Sequence, residues 1–231
     1  MSGAHTADRH PSTSGRTSRS RRIQWVGVVL VGLGVLVLCW AAWQQYLSNW
    51  WSLHRQDQVV GQLEEAWEHG ASDGTVDAGG STAAAVVRVP RFGAEYAVPV
   101  VEGTSDDALA VGLGHVSSSA GPGERGNFAL AGHRIGHGEP LRDLPALEPG
   151  DEVVVENSDA VHTYVVDTDP ADLDVHDTDT WVVDERPVNP DPDGAGPVAD
   201  PRLLTLVTCT DLFHSDDRTA VFGHLVSSVA R

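Results

Sequence analysis

Two cysteines occur in the 231 residues, Cys39 and Cys209. Cys209 closes an apolar, strand-like run, Leu203-Leu204-Thr205-Leu206-Val207-Thr208-Cys209. A lone thiol in an oxidising compartment is a liability and calls for a use, and as a thiolate it is a strong nucleophile toward an acyl carbonyl. A core cysteine packed as a small hydrophobe is the alternative. Nine residues on, Arg218 opens the next apolar run, Thr219-Ala220-Val221-Phe222. A loop joining neighbouring strands would bring Arg218 back beside Cys209. There its rigid fork of donors suits the oxyanion of acyl transfer, whereas a solvated arginine would pair instead with Asp216 or Asp217. Upstream, His133 follows the run Phe128-Ala129-Leu130-Ala131-Gly132. A neutral imidazole within reach of a thiol takes its proton and later returns it to a leaving amine; a structural histidine is the plainer reading.

The elements that must position these groups lie in a β-rich region from about Val86 to Arg231, large enough for a core of its own. Short runs rich in valine, leucine and aromatics predict strands at Val86–Val89, Tyr96–Val101, Phe128–Ala131, Glu152–Glu156, His162–Asp167, Trp181–Asp184, Leu203–Thr208 and Thr219–Val226. Gly121-Pro122-Gly123 and Pro149-Gly150-Asp151 supply turns between them. Ser105-Asp106-Asp107 reads as the cap of a short helix, and Leu141–Leu147 as a further helical turn. Eight short strands with minor helices imply a mainly β, closed barrel rather than a parallel α/β sheet.

The rest of the chain is organised by charge. The net charge is −18 and all 15 basic residues are arginine. The absence of lysine excludes Schiff-base and P-loop lysine chemistry, and so acidic a chain is a poor partner for nucleic acid. Residues 1–22 are basic and expected to be disordered, with five arginines against Asp8. Ile23–Trp43 follows without a charge. As a helix it would be about 31 Å long, matching a hydrocarbon core of about 30 Å. Tryptophans near both ends and the arginines before it predict a single-pass anchor over residues 23–47, the N-terminus cytoplasmic and the remainder outside the cell. Cys39 would then lie inert in the span. Residues 48–85 read as a juxtamembrane helix followed by a glycine-rich flexible linker, His69–Ala85, with the catalytic domain over 86–231.

The runs Thr205-Leu206-Val207-Thr208-Cys209 and Ala131-Gly132-His133-Arg134, together with the spacing to Arg218, resemble the sortases, membrane-anchored cysteine transpeptidases of Gram-positive bacteria. Val100-Val101-Glu102-Gly103-Thr104 and Gly123-Glu124-Arg125-Gly126-Asn127-Phe128 look most like the class E subgroup of actinobacteria. The resemblance implies an eight-stranded sortase-type barrel with Cys209 as nucleophile, His133 as acid/base and Arg218 as oxyanion or substrate clamp. It implies cleavage of a Leu-Ala-X-Thr-Gly-like sorting signal between Thr and Gly through a thioacyl-enzyme, then transfer of the protein to a cell-wall amine. Partners would be surface proteins bearing that signal and a peptidoglycan or lipid-linked amine acceptor. Thr208 and His137 are expected to contact substrate. His137 stands where relatives commonly carry a tyrosine, and Thr210-Asp211 replaces the usual residues after the nucleophile.

No cofactor or metal is expected. The eleven carboxylates between Asp167 and Asp200 lack the spacing of a calcium loop and read as a solvated acidic loop beside the signal-binding groove. Two rival readings are a catalytically inactive membrane-tethered binding barrel and a zinc protein using Cys209, His214 and His224, perhaps joined by His133. A papain-like protease fits badly, because here the histidine precedes the cysteine.

Overall fold

The computed structural model describes residues 17–70, 74–209 and 216–231, without the side chains of 17–23, 41, 42 and 44–48. The chain divides into two compact units between Tyr46 and Leu47. Helix α1 runs Thr17–Glu68. Among the described residues no helix is long and apolar enough to cross a membrane. The described side chains Gln24–Trp40 are all exposed. The basic tail expected to be disordered lies outside the described residues up to Arg16 and is helical from Thr17.

In the second unit α1 is followed by β1 (Val76–Asp77), β2 (Thr82–Arg88), β3 (Val98–Glu102), α2 (Asp106–Leu109), β4 (Leu113–His115) and β5 (Gly126–Ala131). Then come β6 (Glu152–Asn157), β7 (Ala160–Val166), β8 (Asp174–His176), β9 (Arg202–Cys209) and β10 (Asp217–Ala230). Eight of these form one ring: β2 pairs β3, then β4, β5, β9, β10, β7 and β6 follow, and β6 pairs back with β2. The barrel is therefore closed and leaves no long edge. β1 and β8 are short additions to β2 and β10. Two pairs are parallel, β3–β4 and β5–β9, and each needs a crossover. α2 lies in the first, with Ser105 Oγ accepting from the Ala108 amide at 3.3 Å as the expected cap. The second is the long excursion between β5 and β9.

Alternation along the strands divides inside from outside. Val87, Val98, Val100, Phe128, Leu130, Val153, Val155, Tyr164, Leu204, Leu206 and Val221 fill the interior with Leu141, Leu144 and Leu147. The residues between them face outward under two covers. Val59, Val60 and Leu63 of α1 pack with Ala83, Val86, Val101 and Ala108. Leu173, Val175 and Val182, from the segment between β7 and β9, pack with Ala220 and Phe222.

Two expectations change, and one strand is new. The stretch expected as a linker holds β1 and most of β2 from residue 75 on, and the helix before it is docked on the barrel, so the folded unit begins well before Val86. The strand expected at Trp181–Asp184 is a 3₁₀ helix, Thr180–Val183. Its apolar side chains feed the outer cluster, and the Val182 carbonyl accepts from the Asn127 amide at 3.1 Å instead of joining a ladder. β4, with glycine at its centre, carried no strand signal and is formed by its neighbours β3 and β5.

Candidate active site

β5, β9 and β10 lie side by side. β9 runs parallel to β5 with Ala131 opposite Val207, and the Gly132 amide continues the ladder to the Val207 carbonyl at 3.1 Å. On its other side β9 pairs with β10, placing Arg218 opposite Cys209 and Ala220 opposite Val207. Since Leu204, Leu206 and Phe128, Leu130 point inward, the period of two puts Val207 and Cys209, Ala131 and His133, and Ala220 and Arg218 on the outer face. Neighbouring strands are about 4.8 Å apart, so three chemically competent residue types share one face at one end of three adjacent strands. The residues linking Cys209 to β10, Thr210–Ser215, lie outside the described ones, as do the Thr210-Asp211 departure and His214.

Cys209 is half-buried. Its carbonyl accepts a long 3.5 Å contact from Arg134 Nη1, and Arg134 Nε is buried with no hydrogen-bond partner among the described residues. Arg134 adjoins the site without having been singled out by spacing; its place directly after His133 was the only signal. Arg218 is half-buried, opposite both Cys209 and Val175 of β8, with Nη1 donating to the Asp217 carbonyl at 3.1 Å.

Thr208, expected to contact substrate, faces inward at 2% exposure, and its Oγ1 donates to the Gly132 carbonyl at 2.8 Å. It clasps the end of β9 to the end of β5, one residue before both Cys209 and His133. There the inward hydroxyl braces the two strand ends that carry Cys209 and His133.

His133 leaves β5 into a loop held by two backbone anchors, Leu141 N to the His133 carbonyl at 3.1 Å and Tyr96 Oη to the Pro140 carbonyl at 2.6 Å. Burial lowers the His133 pKa below its ordinary value; charge on His137 lowers it further, and Asp106 opposes both. The exposed His137 ring stacks on that of His133, with centroids 4.7 Å apart and planes inclined 27°. His137 is thus in contact with the candidate acid/base.

Among the described residues the zinc alternative does not assemble. His224 pairs with Leu203, six residues from Cys209 along β9 and so about 20 Å away, and its Nδ1 is 2.8 Å from Asp167 Oδ1. Among the described residues no group of three His, Cys, Asp or Glu side chains could hold a metal. The acidic segment is ordered where it covers the barrel. Asn127, fully buried, donates to the carbonyls of Val182 and Asp184, both at 3.1 Å, and accepts from Thr205 Oγ1 at 2.8 Å. A cavity of about 450 Å³ beside Arg125, Arg186 and Asp200 opens at the opposite end of β5 and β9 from Cys209, and no nucleophile lines it.

Cysteine, histidine and arginine thus lie together at the ends of β9, β5 and β10 on the outer face of a closed barrel. Residues 87–226 match the sortase domain, and the chain belongs to the sortase family, in its class E. It is 31% identical to sortase SrtE1 of Streptomyces coelicolor over 219 residues, 89% of this chain and 58% of that protein, so it spans under two thirds of that relative's length. The solved sortase E of Streptomyces avermitilis is 39% identical, with a TM-score of 0.55 over 64% of this chain and 90% of the other. Sortase E1 of S. coelicolor, solved with a tripeptide in the active site, is 32% identical with a TM-score of 0.54, covering 64% and 91%.

Proposed function

We propose that the chain is a membrane-anchored cysteine transpeptidase that cuts a C-terminal sorting signal between Thr and Gly and joins the protein to a cell-wall amine. The observation that carries the reading is the alignment of β5, β9 and β10, which brings His133, Cys209 and Arg218 to one end of one outer face. The lowered pKa of His133 supports the base role, since a neutral imidazole is the form that accepts a thiol proton.

In the proposed reaction His133 takes the Cys209 proton and the thiolate attacks the carbonyl of the signal's threonine. Arg218 donates to the oxyanion of the tetrahedral intermediate. The intermediate collapses with loss of the glycine amine, which His133 protonates, and leaves a thioester on Cys209. An acceptor amine attacks that thioester, gives up a proton and restores the thiol. The tripeptide in the active site of sortase E1 supports a peptide substrate. A Leu-Ala-X-Thr-Gly-like signal is the class E expectation, and His137 in the position of the family tyrosine would adjust the choice of its second residue.

The anchor is proposed over residues 23–47. Its support is an apolar helix surface whose described side chains are exposed all round, including Trp25 at 69%, Leu38 at 71% and Trp40 at 64%. A helix apolar on every face is stable in lipid or buried in protein. The arginines before it favour a cytoplasmic N-terminus and an extracellular catalytic unit.

The test uses the full-length chain in detergent or vesicles with a panel of fluorogenic sorting peptides, with and without a small amine. Cleavage by the wild type, loss in Cys209→Ala, His133→Ala and Arg218→Ala, and an amine-ligated product establish the reading. A folded wild type inert toward every peptide overturns it in favour of a binding barrel.

A further inference from the structure

Four successive residues after His133 turn left-handed: Gly136, His137, Gly138 and Glu139 have φ of 72°, 51°, 79° and 53°. His137 and Glu139 carry side chains that disfavour this conformation, which persists only where neighbours hold it. The neighbours belong to α1. Gln56, at 3% exposure, donates through Nε2 to the His137 carbonyl at 3.1 Å. Asn49 Nδ2 donates to Glu139 Oε1 at 2.9 Å, and its Oδ1 accepts from the Gly138 amide at 3.3 Å. Glu139 accepts from the Gly136 amide at 3.3 Å and pairs with Arg142. Gln56 comes so close that a Cβ on Gly138 would lie 2.6 Å from its Nε2. Asn49 and Gln56 are two helical turns apart, hence on one face of α1. The loop they hold carries the ring that stacks on His133.

We infer that Asn49 and Gln56 are positioning residues for the active-site loop, holding His137 against His133 so that the imidazole keeps one orientation toward Cys209. The inference rests on the sortase reading above and extends it: α1 beyond residue 47 is a working part of the enzyme as well as a connection to the N-terminal segment. Two amide side chains fix a backbone that would otherwise relax. Relaxation would withdraw His137 and leave Asp106 as the remaining charged group acting on His133.

The experiment compares full-length wild type with Gln56→Ala, Asn49→Ala and Gly138→Ala, the last reaching the same loop while leaving α1 intact. Glu64→Gln is the control; Glu64 lies on the same helix, away from the loop, and the change removes its 2.6 Å pair with Arg88 of β2. Peptide kinetics are read with an NMR titration of the His133 imidazole. The expected result is a fall in kcat of about 10–100-fold for Gln56→Ala and Gly138→Ala with KM changed less. The His133 pKa should rise toward its ordinary value as the ring loses its cover. Glu64→Gln should keep wild-type kcat and titration. An active wild type whose Gln56→Ala and Gly138→Ala variants retain both kcat and the His133 titration overturns the inference. A wild type inactive on every peptide overturns the sortase function instead, and the His133 titration still decides whether α1 positions the loop.

Discussion

The two sides of the candidate site are held by different means. Cys209 and Arg218 sit in a backbone ladder, fixed by strand register and by the Thr208 clasp inside the wall. The loop after His133 has no ladder: four left-handed residues are fixed by side chains of a helix far away in sequence. Ladders are built from groups every residue carries, so they tolerate most substitutions. A loop held by two amide side chains does not. The difference suggests a division of labour, with the proposed nucleophile on the rigid side and the proposed acid/base and specificity elements on the adjustable side.

The largest effect should come from the chemistry itself. Cys209→Ala, His133→Ala and Arg218→Ala are each expected to lower kcat/KM by roughly 10²–10⁴-fold or more with melting temperature nearly unchanged, checked by peptide kinetics and calorimetry. A variant that loses activity only because it unfolds would blur the comparison.

Next is the outer layer. Asn127→Ala strips the carbonyls of Val182 and Asp184 of a buried donor and should cost about 1–3 kcal/mol in denaturant melts. Faster hydrogen exchange at residues 180–186 should accompany it. Thr208→Val tests the ladder side directly. It leaves the Gly132 carbonyl without its 2.8 Å donor and should cost about 1–2 kcal/mol. Activity should fall less than in the loop variants, since the ladder itself remains.

The smallest effect is on stability against pH. Burial lowers the pKa of both His133 and His162 in the folded state. The unfolded chain therefore binds protons first as pH falls, so stability is full above the ordinary histidine value of about 6.5 and declines below it. His162→Gln should flatten that decline in melts between pH 7 and pH 5 while sparing catalysis; an unchanged slope would remove His162 from the account.

Much of the barrel could be read from sequence because seven of its eight ring strands carry apolar runs, and because turns such as Pro149-Gly150-Asp151 punctuate them. β4 was illegible: three residues with a central glycine have no pattern of their own and are recruited by β3 and β5. Trp181–Asp184 looked like a strand because apolar content is shared by strands and by helical turns packed on a sheet. In the site, Cys209, His133 and Arg218 were legible as residue types at strand ends. The Thr208 clasp was not legible, because alternation decides which of two neighbours faces inward, and the outward one is Cys209. Asn49 and Gln56 left no signal, for a contact between residues some 80–90 apart depends on how α1 docks, which local pattern does not encode.

The central claim is that Cys209 accepts the acyl group. Intact-mass and peptide-mapping mass spectrometry of the full-length chain, quenched in acid during turnover of a sorting peptide, tests it most directly. The account predicts an adduct equal to the peptide's N-terminal part through threonine, borne by Cys209, released by hydroxylamine and absent from Cys209→Ala. Turnover with no adduct on Cys209, or continuing in Cys209→Ala, would contradict it.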